Sequence, residues 1–255
     1  MAEVTVAVLN LNKGVDRWGE RAVLVARELA HRQPDVIAFQ EVDLRIDQGN
    51  WLCRRVNDLL AFHIEARYTM HRMANQRDNV AIEALAIMTW LPIVEHEGLD
   101  YLIRNRVAHR ARLQGRDGTL LDFYNTHFHH IQDDQGDRWR QEQTQKLLHW
   151  MAKNSPDVPH IFVGDLNAGP PSEILGCFKA RLRSAFEVVH GREPDTTRSP
   201  TWQRASGGSG GVSDYILVSP GLGVLDAWCF CDTPSAEDPT LFPSDHVGLA
   251  AKIRL

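Results

Sequence analysis

The 255-residue chain is poor in several things at once, and each shortage excludes a class of protein. Cysteine occurs only at positions 53, 177, 229 and 231, and no pair has CxxC spacing, so neither a zinc ribbon nor a thioredoxin-type redox motif is present. Cys229 and Cys231 are expected on one face of a strand as buried free thiols, which fits a reducing, cytoplasmic setting. No apolar run is long enough to span a bilayer. The opening Met1-Ala2-Glu3-Val4 lacks the basic-then-apolar pattern of a secretory signal. Basic residues are not in excess either: 28 Lys+Arg against 33 Asp+Glu give a formal net charge of −5. That balance excludes a protein that coats nucleic acid by charge alone, though not a local basic groove. Low-complexity tracts and short repeats are missing. The run Ser206–Gly211 is rich in glycine but lacks the Lys-Ser/Thr ending of a phosphate-binding P-loop, so it is read as a flexible loop.

What is there is an ordinary globular composition, 43% hydrophobic and 24% charged. The length suits one domain over residues 1–255, large enough to hold a core without disulfides or structural zinc. Strand-like and helix-like periods alternate. Strands are expected at Val4–Leu11, Val36–Gln40, Ala84–Met88, Leu120–Thr126, His160–Gly164, Asp214–Ser219 and Val247–Ile253. Helices are expected at Gly19–Arg32, stopped by Pro34, at Gly49–Leu60 and at Arg138–Met151. Arg104, Arg106, Arg110 and Arg112 fall on alternate positions, which puts four guanidinium groups on one strand face. That face is either solvated and carboxylate-paired or turned toward phosphate.

The informative feature is where polar residues interrupt the apolar strands. Asn10 lies late in the first strand, and Glu41 closes the second. Asn125-Thr126-His127 closes another, and Asp165 and Asn167 close a fourth. Asp214 opens the next strand, and Asp245-His246 precedes the last. Polar groups at the ends of buried strands are costly unless they meet partners or a metal, so their convergence suggests a site. Glu41 and Asp245 are hard oxygen donors suited to Mg²⁺ or Mn²⁺. Asp165 and Asn167, two apart, would project the same way from an extended backbone. Asp214 could hold one ring nitrogen of His246 and leave the other to take a proton from water. His127 could donate to a phosphate oxygen as charge develops.

The segments VAVLNLN (6–12), PDVIAFQEV (34–42), ALAIMTWLPI (84–93), FYNTHFHH (123–130), IFVGDLNAGP (161–170), SDYILVS (213–219) and PSDHVGLAAKI (243–253) occur in an order that resembles the endonuclease/exonuclease/phosphatase superfamily. This superfamily includes pancreatic-type DNases, abasic-site endonucleases, neutral sphingomyelinases, inositol polyphosphate 5-phosphatases and deadenylases. The resemblance spans essentially the whole chain. It implies an α/β fold, a four-layer α/β/β/α sandwich of the DNase I type, with the site at one edge. It also implies a metal site at Asn10, Glu41 and Asp245, a GDxN pair at Asp165 and Asn167, an Asp214–His246 pair, and a phosphate-contacting His127. His127 stands where abasic-site endonucleases usually have Tyr, so it leans away from that branch. Two stretches depart from the common pattern: Met88-Thr89-Trp90, where the family often has Ser-Arg or Ser-Lys, and Val212-Ser213 before Asp214. Both bear on substrate and not on the reaction. Glu83 is read as a surface residue, with a place at the site as the alternative.

The expected chemistry is Mg²⁺-dependent (or Mn²⁺-dependent) hydrolysis of a phosphate ester, most simply a diester, by in-line attack of water. His246 is the first choice of general base and Asp165 its rival. The favoured substrate is a small or lipid-derived phosphodiester. A DNA or RNA nuclease is the second reading, and a non-catalytic binding member of the fold the third. The partner expected is the phosphate-ester substrate itself, with no obligate protein partner. The segment 63–78, with Arg67, Tyr68, His71, Arg72 and Arg77, is read as a substrate-contacting or solvated loop. Trp90, Trp139 and Trp202 either line a groove or pack, and 232–243 is read as a rim.

Overall fold

The computed structural model describes residues 3–13, 16–61, 67–74, 82–115, 117–202 and 210–255. Most of the glycine-rich run 206–211, and His63 and Arg77 of the 63–78 segment, lie outside the described residues.

The amino-terminal half shows how the sequence period becomes layers. In β1 (Glu3–Asn10), Val4, Val6 and Val8 face one way, and Ala7 and Leu9 the other. In β2 (Val36–Asp43), Val36 and Ala38 join the first set, and Ile37 and Phe39 the second. Both faces are therefore buried, and the strands lie parallel, joined by α1 (Trp18–Arg32). Ala22, Val25, Ala26 and Leu29 recur at helical spacing and turn α1 onto the Ala7 face. The helix ends at Gln33, which takes a left-handed conformation just before Pro34.

The second half repeats the plan. In β7 (Leu120–His127) and β8 (His160–Asp165), Leu121, Phe123, Ile161 and Val163 face the first sheet, while Tyr124 and Phe162 face outward. These strands are also parallel, joined by α3 (Asp134–Asn154), whose start is capped by the Asp133 carboxylate accepting from the Gly136 N–H at 2.7 Å.

The remaining elements are α2 (Gln48–Leu60), β3 (Thr69–Met73), β4 (Glu83–Thr89), β5 (Ile93–Asp100), β6 (Val107–Gln114), α4 (Glu173–Lys179), β9 (Arg183–Ser184), α5 (Ala185–His190), β10 (Asp214–Val218), β11 (Gly223–Phe230) and β12 (Gly248–Arg254). They complete two six-stranded sheets, ordered β11-β12-β1-β2-β4-β3 and β5-β6-β7-β8-β10-β9. Each packs its inner face on the other; α1 and α2 cover one outer face, and α3 and α4 the other. The expected four-layer α/β/β/α sandwich is the fold. Among the described residues, no helix is long and apolar enough to cross a membrane.

Several expectations need correction. The 63–78 segment is not all loop: β3 pairs antiparallel with β4. Only Arg110 and Arg112 of the four-arginine pattern lie on β6. Arg104 and Arg106 precede it, Arg104 with a left-handed backbone (φ 49°) that breaks the alternation. Arg110 and Arg112 are paired with Glu95, Glu97 and Asp122, so the phosphate-facing reading of that stripe fails. Cys229 and Cys231 do not share a face. Cys231 follows the end of β11 with φ 54° and packs on the helix side, whereas Cys229, only half-buried, packs between the sheets. The second strand does not stop at Glu41 but runs on to Asp43 through a bulge.

A buried polar pair bridges the two sheets inside the sandwich. Gln40 Nε2 on β2 donates to Asn125 Oδ1 at 2.7 Å, and Asn125 Nδ2 on β7 donates to the Phe39 and Ala86 backbone carbonyls at 3.0 Å each. Both side chains are fully buried. The first residue of the Asn125-Thr126-His127 motif thus fixes how the site-bearing strand ends meet. Asn125→Ala leaves a buried amide and two carbonyls short of partners. It is expected to cost about 2–4 kcal/mol of stability in urea unfolding, and a loss below about 0.5 kcal/mol would contradict this account of the sheet junction.

Candidate active site

Topology carries the polar strand ends to one edge. β1, β2, β7 and β8 all finish there. β10 runs antiparallel to β8 with Asp214 opposite Asp165, and β12 runs antiparallel to β1, which sets Asp245-His246 beside the end of β1. Backbone irregularities then aim the side chains. Glu41 sits at the β2 bulge with φ 54°, a conformation costly for a non-glycine residue and typical of functional sites. Gly164 has φ 150°, and a Cβ there would overlap the Thr126 carbonyl oxygen, so glycine is required beside Asp165. Asn167 does not continue an extended strand. It is left-handed (φ 49°), and its N–H donates to Asp165 Oδ1 at 2.8 Å in a side-chain-closed turn.

The centre of the site is Asp165, 1% exposed. Its Oδ2 accepts from Asn10 Nδ2 at 3.3 Å and lies 3.7 Å from both His127 Nε2 and His246 Nε2. Burial, and then the nearby Asp214 charge, raise its pKa, while Arg198 and His246 oppose the shift. His246 Nδ1 is 2.9 Å from Asp214 Oδ2. Burial works against charge on this imidazole, but Asp214 outweighs it and lifts the pKa to about 9. Burial likewise opposes the Asp214 charge, and His246 outweighs it, holding that carboxylate below its ordinary range. Asp214 Oδ1 has no hydrogen-bond partner although it is buried.

His127 is also buried. Burial and then the Arg106 charge push its pKa well down, so it is neutral. Arg106 Nη1 lies 3.0 Å from His127 Nδ1. A guanidinium can only donate, so Nδ1 accepts and the ring proton sits on Nε2, which faces Asp165 and lies 3.9 Å from Glu41. Arg106 also pairs with Glu83 at 2.8 Å, and Glu83 pairs with Lys13. Glu83 is therefore part of the site's rim, in a small recess with Glu41, Arg106 and His127, and not a bystander on the surface.

The structure brings Asn10, Glu41, His127, Asp165, Asn167, Asp214 and His246 together, with two differences of detail. Asn10 Oδ1 accepts from the Asn12 N–H at 3.0 Å, so its amide nitrogen faces Glu41 (3.5 Å) and Asp165. In this orientation the amide braces the two carboxylates. Asp245 is half-buried, with its side chain 3.4 Å from the Ser244 hydroxyl, next to the cluster but outside its tightest part. Among the described residues, only Asp165, Asp214 and His246 form a group of three or more carboxylate, imidazole or thiol ligands within 4.8 Å of one another.

Three contributors went unmarked by the sequence pattern. Arg21, buried in α1, donates to the Leu11, Asn12 and Pro243 carbonyls and ties the end of β1 to the loop before Asp245. That loop, 232–243, is also held by the Arg17–Asp238 ion pair. Arg106 was visible only as one member of an alternating run. Arg198, beside His246, lay in no motif.

A fit to a divalent cation can be read from the donors. Asp165 and Asp214 are buried hard oxygen ligands, Asp214 with an unpartnered oxygen, and the partly exposed Glu41 adds a third carboxylate, which the Asn10 amide links to Asp165. The residues fit Mg²⁺ or Mn²⁺.

Residues 7–246 match the model of the Endonuclease/Exonuclease/phosphatase family. Among curated proteins, the chain is 27% identical over 287 residues to Nocturnin of Drosophila melanogaster, covering 93% of this chain and 42% of that protein. It is 26% identical over 250 residues to Nocturnin of Xenopus laevis, covering 91% of this chain and 64% of that one. The chain thus spans less than two thirds of the curated relatives it matches. Among solved structures, the human Nocturnin catalytic domain with bound sulfate superposes with a TM-score of 0.77 at 22% identity, over 99% of this chain and 93% of that one.

The Arg106 contact makes a test. Arg106→Met is expected to free His127 Nδ1 and mix the ring tautomers, seen as a change in the ¹⁵N shifts of the His127 ring from the single Nε2–H form. Unchanged ring shifts would contradict the assignment.

Proposed function

The chain belongs to the Endonuclease/Exonuclease/phosphatase family, whose members are divalent-metal-dependent phosphoester hydrolases, and on that premise we propose that it cleaves phosphodiester bonds of a small or lipid-derived molecule by in-line attack of water. The observation that carries the reading is the buried Asp214–His246 pair, closed at 2.9 Å and facing Asp165 at 3.7 Å.

Glu41 and Asp165 would hold the Mg²⁺ or Mn²⁺, with Asn10 bracing both and Asp245 serving its hydrated shell. The ion supplies charge neutralisation at the phosphate and the leaving oxygen. Asp214 favours the protonated ring, but a divalent cation beside Asp165 would oppose that charge, and the neutral ring then offers His246 Nε2 as the base toward the attacking water. Asp214 fixes the tautomer by accepting from Nδ1–H and stabilises the imidazolium that forms. Asp165 remains the second candidate, because burial raises its proton affinity and its Oδ2 faces the same space. His127 Nε2–H faces Asp165 and would donate to a non-bridging oxygen as charge builds there. Asn167 commits one amide hydrogen to the Phe128 carbonyl at 3.0 Å and has a second for the substrate.

Charge favours a small substrate over nucleic acid. Arg110 and Arg112 are spent on carboxylates, Lys13 and Arg106 share Glu83, and the formal net charge is −5. No stripe of cations is left for a phosphate backbone among these residues. A nuclease is the second reading, supported by the Arg106 and Arg198 side chains at the site itself.

Purified protein is expected to hydrolyse bis-p-nitrophenyl phosphate with Mg²⁺, to stop in excess EDTA, and to lose about 10²–10⁴-fold in kcat on His246→Ala. Full rate in EDTA would sink the proposal. Cleavage of plasmid DNA or short RNA that outpaces the small diester and falls steeply with salt would favour the nuclease reading.

A further inference from the structure

His109 on β6 is wholly buried, and neither of its ring nitrogens has a hydrogen-bond partner. A neutral imidazole carries one donor and one acceptor, so both are left unanswered in a position where that is costly. Native interiors rarely keep such a group without a use for it. His129 shares the lack, but its ring neighbours are Trp139 and a single imidazole. His109 stands at the end of a chain of three.

Strand register brings the three together. His109 precedes Ala111 by two on β6, and Ala111 belongs to the core between the sheets. His96 on β5 is directly opposite Ala111. His71 on β3 is directly opposite Ile87, another residue of that core. Residues opposed in a ladder project to the same face. Two imidazoles from one sheet and one from the other therefore share the inner space at the margin where β3 and β5 are the edge strands. Glu95 and Glu97 project to the other face of β5, where they pair with Arg110. Gly98, opposite His109, lacks a side chain, and a Cβ there would come 2.5 Å from the Met73 sulfur. A thioether thus lies over the same patch.

The His71 and His96 ring centres are 5.4 Å apart and those of His96 and His109 6.1 Å, both pairs edge to face. Two imidazoles bound to one tetrahedral ion through nitrogens at about 2.0–2.1 Å have ring centres about 5 Å apart. The three nitrogens do not converge within 4.8 Å as they stand. His96 is exposed on its edge strand, and its ring has room to turn toward the other two. Burial, then His96 and His71, lower the His109 pKa to about 3, and burial, then His96, lower that of His71. Both rings are held neutral, the form that binds a metal. Imidazole and thioether donors suit a borderline ion and not the hard ions that carboxylates take.

We propose that His71, His96 and His109 form a second metal site, for a borderline transition-metal ion such as Zn²⁺, separate from the carboxylate edge around Asp165. The ion would clamp β3 of one sheet to β5 and β6 of the other, a link that the backbone ladders do not make. It uses no residue of the phosphoester site and stands or falls independently of that reading.

Histidine-ring ¹⁵N NMR of the full chain tests the site, with Zn²⁺ added stepwise in excess Mg²⁺. One ring nitrogen in each of His71, His96 and His109 is expected to move to a metal-bound shift, all three over the same Zn²⁺ range. His96→Ala, a change at an exposed position, is expected to raise the Zn²⁺ needed at His71 and His109 by at least about 10-fold, since groups that only orient a metal ligand already contribute that much. His71→Gln, made on the opposite sheet, is expected to do the same at His96 and His109. Rings that do not move, rings that respond over separate Zn²⁺ ranges, or an undiminished response in both variants would overturn the site. Movement confined to His127 and His246 would put Zn²⁺ at the Asp165 edge alone and overturn it equally.

Discussion

A buried carboxylate is expensive to keep, and this fold keeps Asp165 at the point where its two sheets meet. Nearly every unusual feature of the edge can be traced to that cost. Asn10 reaches it from the first sheet, His127 from the neighbouring strand, His246 from the turn before β12, and Arg198 from the segment bridged to that turn. None of these contacts is a short, bidentate ion pair. The site remains under-neutralised, with a raised proton affinity at Asp165 and an unpartnered oxygen on Asp214. Such an edge is prepared for a small hard cation and for an anion carried with it.

Local strain serves the same end. Glu41 and Asn167 adopt left-handed backbone conformations, and Gly164 one that leaves no room for a side chain. Each sits within a residue or two of a ligand or hydrogen-bond donor. The regular parts of the sandwich carry this strain: the two central parallel pairs, their crossover helices, and the Gln40–Asn125 bond that sets one sheet on the other.

The layers were legible because each central strand alternates between two apolar faces, and because Ala22, Val25, Ala26 and Leu29 show one helical stripe. The strand-end residues were legible because a carboxylate or histidine after four or five apolar residues has no cheap structural explanation. The Asp165–Asn167 relation was expected from an extended backbone, but a side-chain-closed turn sets it. What stayed hidden depends on contacts across long separations. Arg198 reaches His246 through a bridge 48 residues distant, and Glu83 meets Lys13 across 70. The alternating arginines misled because a period of two says nothing about whether the backbone stays extended, and at Arg104 it does not. β3 and β5 escaped notice because edge strands such as these are mixed in polarity and carry little period.

The carboxylate edge around Asp165 is, on this reading, a cation site. A crystal grown with Mn²⁺ and measured for anomalous scattering tests it directly. The predicted result is a peak bound by Glu41 and Asp165, on the side braced by Asn10. A crystal with no Mn²⁺ at this edge, or with its only ordered ion elsewhere, would contradict the claim.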